Sequence, residues 1–483
     1  MTTTLIWFRR DLRLSDNPAL QAALKDANQL IPLFIQSPGE EAPWQPGAAS
    51  NWWLHHSLAA LDDSLRHRQS RLVLAQGDSL TVLKRFVEQA RVSRICWNRL
   101  PDPACRQRDQ ALREALAEMG VSVEEHDANR LIQGEPLKTG GGTPYRVFTP
   151  FWKALQAQGL LIGRPKGIPK TLPPLPDRTA SVSLDSLQLL PKIGWDQGFY
   201  DTWKPGEAGA RDRFKQFLKR VIEDYPEWRD RPDLLGTSRL SAHLHFGEIG
   251  PRQLLQGIAT HRDAVHGRRG RGSDGTEYLR QLAWREFSAY LLEHFPHTDQ
   301  APFDPRFENF SWANPAQSRE QLQRWQQGQT GIPIVDAGMR ELWHTGWMHN
   351  RVRMIAASLL TKNLGIHWLE GARWFWDTLV DADLANNSMG WQWCAGCGAD
   401  AAPYFRIFNP VRQGVRFDPQ GEYIRYWVPE IAALPDKMLN APWEADSKLL
   451  GQAGIRLGRD YPEPIADLAA TRHSALERWD RIK

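Results

Sequence analysis

The stretch Asp381–Pro410, DADLANNSMGWQWCAGCGADAAPYFRIFNP, gathers more chemistry than a core helix needs. It holds the carboxylates Asp381 and Asp383, the adjacent amides Asn386 and Asn387, the indoles Trp391 and Trp393, and the run Pro403-Tyr404-Phe405-Arg406. Upstream lie LRQLAWREF (Leu279–Phe287), GIPIVDAGMR (Gly331–Arg340) and GWMHNRVRM (Gly346–Met354). Asn350 and Met354 are four residues apart and share one helix face, with Trp347 and Arg351 flanking it. Gln281 and Trp284, three apart, share a face on another helix. Arg353 and Asp381 offer a charge pair in apolar surroundings. A salt bridge is the plain reading of that pair; a fixed charge beside a buried ligand is the sharper one. Gly236-Thr237-Ser238-Arg239-Leu240-Ser241 sets small hydroxyls before an apolar run, where they cap orphan N–H groups or meet a phosphate. Cys394 and Cys397 form a C-x-x-C, but no two further ligands stand at metal-site spacing. Buried packing is the first reading of that motif and a redox role the second.

The elements that must position these groups follow from patterning. At 483 residues the chain is too long for one ordinary core and points to two domains. Hydrophobic residues make up 41% and charged residues 24%, which fits a globular chain, and no apolar run reaches membrane-spanning length. MTTTLIWFRRDLRL does not read as a signal peptide, because charges follow its apolar residues at once. Four cysteines do not suggest a disulfide framework, so a reducing, cytoplasmic setting is expected. A net charge of +4 permits a polyanionic partner without requiring one. Against 9 Tyr there are 22 Trp, which pack a core, stack on planar ligands or carry electrons.

Apolar runs at Thr4–Phe8, Leu30–Ile35, Arg71–Ala75, Arg94–Trp97 and Val121–Glu125 alternate with helical patterns such as Asn51–Arg66 and Ser79–Ala90. That alternation predicts an α/β domain over 1–131 with a doubly wound parallel sheet, which binds ligands at its carboxyl edge. No Gly-x-Gly-x-x-Gly follows the first run. Residues 132–204 are rich in Pro and Gly and read as an interdomain connection. Residues 205–483 carry helical spacing, notably Ala208–Asp224, Pro251–Thr260, Glu277–Phe295, Arg319–Gln327, Val335–Lys362 and Leu369–Leu379, and predict an all-α domain.

Together these ordered motifs resemble the photolyase/cryptochrome family, over essentially the whole chain. The resemblance implies a helical domain that binds flavin adenine dinucleotide (FAD). It assigns Tyr225, Thr237, Ser238, Arg239, Leu240 and Ser241 to the pyrophosphate region, and Arg285, Asn350, Arg353, Asp381 and Asp383 to the rest of the cofactor site. Asn387 falls where family members place a residue against the reactive flavin nitrogen; photolyases usually carry Asn there, which leans this chain toward repair. Gln281, Trp284, Asn350, Met354 and Trp393 fall around the pocket for a cyclobutane pyrimidine dimer flipped out of UV-damaged DNA. Arg351 and Arg406, by themselves ordinary surface charges, match positions that touch DNA phosphates, beside Trp284. Trp391, Trp368 and Trp312 resemble a chain of electron-transfer indoles, with Trp374 and Trp376 as a branch or as packing.

One residue departs. Cyclobutane-dimer photolyases usually carry Glu where this chain has Gln281. Gln resembles the (6-4) photolyases, but those carry two histidines at the positions of Asn350 and Met354. Without them the acid chemistry for a (6-4) lesion is missing. An amide still donates to a carbonyl, so the expectation is blue-light-driven dimer repair of reduced efficiency, a lyase reaction. A cryptochrome-like photoreceptor is the alternative. The ending RWDRIK, without a long disordered tail, favours the enzyme. Trp97-Asn98-Arg99-Leu100 with Arg108-Asp109 resembles an antenna loop of folate-binding members. Methenyltetrahydrofolate is therefore expected there, with deazaflavin or no pigment as alternatives. No metal, no membrane and a monomeric state are expected.

Overall fold

The computed structural model describes residues 2–132, 136–159, 163–266, 275–401 and 405–483. Five strands form one all-parallel sheet: β1 (Thr3–Phe8), β2 (Gln29–Gln36), β3 (Val73–Gln76), β4 (Val92–Asn98) and β5 (Ser122–His126), in the order β3-β2-β1-β4-β5. Every residue of β1 is buried, which explains its unbroken apolar run Leu5–Phe8. Its side chains alternate between faces. Leu5 and Trp7 join Val82, Leu83, Phe86, Leu112 and Leu116 of the helices Ser79–Ala90 and Pro103–Glu118. Ile6 and Phe8 join Trp52, Trp53 and Leu58 of the helix Ala48–Arg66, so the sheet is doubly wound. The third strand starts later than its apolar run, because pairing with β2 begins at Leu33 and Val73, while Leu72 N–H donates to Asp62 instead.

The second face of the sheet is also the domain interface. Ile6 and Phe8 share their core with Phe199, Trp203, Ala242, Phe246 and Trp347. Arg13, fully buried, spans the junction: its guanidinium donates to the carbonyls of Ser15, Asp16, Ala128 and Gly247 and to Asn129 Oδ1. Gly247 (φ +65) must lack a side chain, since a Cβ there would lie 2.3 Å from Arg10 O.

The connection 132–204 is more structured than its Pro and Gly content implies. It carries the helix Phe148–Gln158, whose Phe148, Phe151 and Leu155 pack into the helical domain, and the short helix Gln197–Thr202. Leu187 and Leu189 return to the core of the sheet.

Beyond residue 205 the described elements are helical, apart from one isolated bridge between Leu457 and Tyr461. The single helix expected over Val335–Lys362 is instead two. Pro333–Thr345 ends at Gly346 in the left-handed region (φ +67), and His349 caps a new helix, Asn350–Ser358, by accepting from Arg351 N–H at 3.2 Å. The chain continues through the wider turn Leu359–Asn363. The break matters because it turns Asn350, Arg353 and Met354 onto the cavity described below.

Glu286 of the WREF run ties both parts together. Its buried carboxylate accepts from Arg130 Nε at 2.8 Å and from the Leu131 and Ile132 N–H groups at 2.8 and 3.3 Å. Glu286 is therefore structural and faces away from any substrate chemistry. Glu286→Ala leaves Arg130 with Glu293 alone and strips the Leu131 and Ile132 N–H groups of their acceptor, and urea denaturation should show a loss of about 3–5 kcal/mol.

Candidate active site

Asp383 starts the helix Leu384–Ala395 by accepting from Asn386 N–H at 3.0 Å and from Asn386 Nδ2 at 2.7 Å. His245 Nδ1 lies 3.3 Å from its other oxygen. Burial opposes a charge there, yet the contact and charge of His245, the Arg285 guanidinium and the Asn386 N–H hold the Asp383 carboxyl well below the ordinary range. One turn on, Asn387 Nδ2 donates to Ala372 O at 3.0 Å, which fixes the amide against the helix Trp368–Thr378. Trp391 packs closely there because Gly371 is bare; a Cβ on Gly371 would lie 2.1 Å from the indole.

These residues line a cavity of about 530 Å³ with Gln281, Trp284, Asn350, Arg353, Met354 and Trp393. Arg353 Nη2 donates to both oxygens of Asp381, at 2.8 and 3.1 Å, and its Nε donates to Met348 O at 2.7 Å. The charge pair expected from sequence is thus made, at the cavity wall. Trp284 is backed by Phe148, ring on ring at 3.6 Å and 8°. Asn350 Nδ2 lies 3.7 Å from Met354 Sδ, and Gln281 Nε2 turns back toward Glu277 O at 3.5 Å. Arg406, exposed at the rim, stands 5.6 Å from the Trp393 ring.

A second lobe, about 270 Å³, continues from the first; both are lined by Arg229, Gln281, Asn350, Arg353, Asp381, Asp383 and Asn386. It is built from Tyr225, Thr237, Ser238, Arg239, Leu240, Ser241 and Arg285. Simple capping does not explain the hydroxyls here. The helix that follows, Ser241–His245, is short and its cap position is Leu240, without a side-chain cap. Instead Ser238 Oγ accepts from Tyr278 OH at 3.0 Å, and Ser241 Oγ accepts from Trp347 Nε1 at 3.3 Å. Arg239 adopts φ +49 and lies over Trp347 at 4.7 Å.

Not every expected residue meets the cavity. Arg351 pairs with Asp230 at 2.9 Å, lies over Phe417 at 4.3 Å and lines neither lobe. Pro403 and Tyr404 lie outside the described residues. Trp312 and Trp368 meet through His367, at 4.9 and 5.8 Å, whereas Trp391 packs against Phe375 and Trp325 at 4.9 and 6.0 Å. Among the described residues no cluster of three metal-ligating side chains occurs, and no helix is long and apolar enough to cross a membrane. Sequence reasoning missed Arg229, His245, Asn386 and Asp400. Asn386 and Asp400 lay within the motif first singled out; Arg229 and His245 carried no signal, since only the fold brings them here.

In the α/β domain a crevice of about 80 Å³ opens at the carboxyl edge of the sheet, lined by Trp7, Arg9, Gln36, Glu41, Leu100 and Arg108, and it reaches His245 and Trp376. The expected antenna loop joins it only in part. Trp97 is buried and donates to Glu125, and Asn98 Nδ2 is taken by Asp11 and Asn17. Asp109 pairs with Arg9 and Arg108, and Arg99 lies near Glu125 and Asp127.

Residues 4–176 match the profile described as DNA photolyase, and residues 278–481 match the FAD binding domain of DNA photolyase. The chain is 43% identical to the deoxyribodipyrimidine photo-lyase of Agrobacterium fabrum, over 99% of this chain and 98% of that one. It is 35% identical to cryptochrome-2 of Arabidopsis thaliana, over 99% of this chain and 79% of the relative. Its fold superposes on the crystal structure of a bacterial class III photolyase from Agrobacterium tumefaciens with a TM-score of 0.94, at 42% identity, covering 100% and 98% of the two chains. The chain therefore belongs to the photolyase/cryptochrome family, and its helical domain is the FAD-binding domain of that family.

Because the Asp383 pKa is depressed on folding, its stabilisation is present above the unfolded carboxyl value and is lost as pH falls toward the folded one. Asp383→Asn should lower stability at pH 7 by about 1–3 kcal/mol. In urea titrations that gap should narrow as pH falls from about 5 toward 2.

Proposed function

We propose that the chain splits cyclobutane pyrimidine dimers in UV-damaged DNA under blue light, as a deoxyribodipyrimidine photo-lyase. The observation that carries this is the continuous two-lobed cavity. One lobe is lined by hydroxyls and arginines suited to phosphates; the other joins Gln281, Trp284, Asn350, Met354 and Trp393 and ends at the exposed Arg406. Its size falls in the range of cofactor sites.

The residues fit FAD. Thr237, Ser238, Arg239, Leu240 and Ser241, with Tyr225 and Arg285, would hold the pyrophosphate, and Arg353, Asp381, Asp383 and Asn387, on the walls of the larger lobe, would hold the ring system. When bound, reduced and excited by light, FAD would supply the electron for dimer splitting and take it back. Arg353, anchored by Asp381 and Met348 O, keeps a fixed positive charge where a reduced, anionic ring needs one. Trp284 and Trp393 stack on the flipped bases, and Met354 fills the apolar side. Asn350 and Gln281 donate amide N–H groups to the dimer carbonyls, which stabilises the charge that arrives on them. Gln281 has no proton to give, so the step relies on hydrogen bonding alone. Arg406 contacts backbone phosphate at the rim, and Arg351 does so only by leaving Asp230. Trp391, Trp368 and Trp312 carry electrons toward the flavin. The crevice beside His245, at about 80 Å³, is below the size of a cofactor site, so a pigment there, methenyltetrahydrofolate first and deazaflavin second, would require it to widen, and no pigment is the remaining alternative. Mass spectrometry of the released chromophore tests that choice. The three units are the antenna domain 1–131, the connection 132–204 and the helical domain 205–483, acting as a cytoplasmic monomer.

The test is chromatography of a single-stranded oligonucleotide with one thymine dimer, illuminated with the chemically reduced protein. The wild type should restore intact thymines and Gln281→Glu should raise the yield per photon. Asn350→Ala should lower it by about tenfold. DNA affinity should fall with salt and fall less steeply in Arg406→Ala. No splitting by the wild type, with splitting gained in Gln281→Glu, would instead assign a photoreceptor.

A further inference from the structure

The motif Cys394-Ala395-Gly396-Cys397 is left unused by the repair reaction. Both thiols are free and buried. Cys394 lies on the helix that carries Trp391, three residues later and so on the same face, and both side chains line the main cavity. Gly396 (φ +92) then turns the chain so that Cys397 N–H donates to Gln392 O at 3.1 Å. Cys397 Sγ lies 3.8 Å from Gln392 O, and a C-x-x-C spacing is one that an internal disulfide spans in redox motifs.

Against this turn lies Lys362. Its side chain is 1% exposed and its Nζ has no hydrogen-bond partner. The Nζ sits 3.2 Å from the Phe405 ring centroid, and a Cβ on Gly396 would lie 3.1 Å from it. The bare Gly396 thus makes room for a nitrogen beside the residue that separates the two cysteines. A buried structural lysine is expected to be ion-paired. The titratable groups acting on this one are Cys394, Cys397 and Arg478, and Arg478 donates to the Lys362 carbonyl at 2.8 Å. Burial brings Lys362 down to about 7 and pushes Cys394 up to about 12 and Cys397 higher still. Burial thus favours the neutral form of both thiols and of the amine beside them.

We propose that Cys394 and Cys397 form an internal dithiol reductant that refills Trp391 after light moves an electron from this indole to oxidised flavin, with Lys362 receiving a thiol proton. The inference rests on the flavin site proposed above. Two S–H bonds break and one S–S bond forms. Two electrons leave singly through Trp391, and with one of the two protons they convert oxidised flavin to its reduced anion. The other proton stays on Lys362 until it exchanges with water. Neutral buried thiols resist outside oxidants, so the indole radical is the partner that consumes them.

The FAD-loaded chain, oxidised and anaerobic, is illuminated without added thiol. Flavin absorbance reads electrons taken up, and alkylation after denaturation, with mass spectrometry, counts thiols. The wild type should reach full reduction and lose two of its four thiols as a Cys394–Cys397 disulfide. Cys397→Ser should stop at about half the electrons per flavin, since one thiol supplies one, and dithiothreitol should restore the rest. Full reduction with all four thiols intact overturns the inference, as does a Cys397→Ser protein that matches the wild type without added thiol. Dimer repair after dithionite reduction separates the two readings. A wild type that repairs but keeps its thiols sinks only the dithiol. One that fails to repair yet loses two thiols sinks only the repair function.

Discussion

The active site depends on one carboxylate. Asp383 caps the helix that carries Asn387, Trp391, Trp393 and Cys394, and the same side chain meets His245 from the neighbouring segment. A cap sets where a helix begins and so which residues share each face. Moving this start by one residue would rotate all four side chains by about 100°. The charge that performs the capping is kept ionised by His245 and Arg285 despite its burial, so helix register and cavity electrostatics have one source.

A second constraint works from the opposite wall. The left-handed Gly346 and the His349 cap divide what would be a long helix, and the second half presents Asn350, Arg353 and Met354 to the same space. His349 is buried and its pKa is lowered by desolvation to about 3, so it stays a neutral cap at any working pH. The two lobes therefore meet between two capped helix starts, each fixed by hydrogen bonds rather than by loop conformation. That arrangement suits a site in which electron transfer demands fixed distances.

The tryptophan excess divides by place. Trp52, Trp53 and Trp203 pack the domain interface and Trp7 and Trp97 the far face of the sheet. Trp284, Trp391 and Trp393 line the cavity. Trp195, Trp343 and Trp374 form an aromatic run, with Trp343 half exposed. Packing and chemistry thus both account for the composition, and position in the fold separates them.

Sequence by itself determined the local and periodic features. Five runs became five parallel strands; the central β1 is buried on both faces, which its apolar run Leu5–Phe8 reflects, whereas the edge strand β5 (SVEEH) has no buried residue. Helix-spaced pairs such as Asn350 with Met354 share a cavity wall because 3.6-residue periodicity is a property of the chain alone. The tertiary structure decided what depends on distant partners. It gave Glu286 to Arg130 and the backbone of Leu131, Arg351 to Asp230, and Asn98 to Asp11 and Asn17, pairings that no motif announced. It also brought Arg229 and His245 into the site and set Lys362 beside the C-x-x-C. Those contacts join residues far apart in the chain, and no periodicity within one segment encodes which charge from another will pack against it.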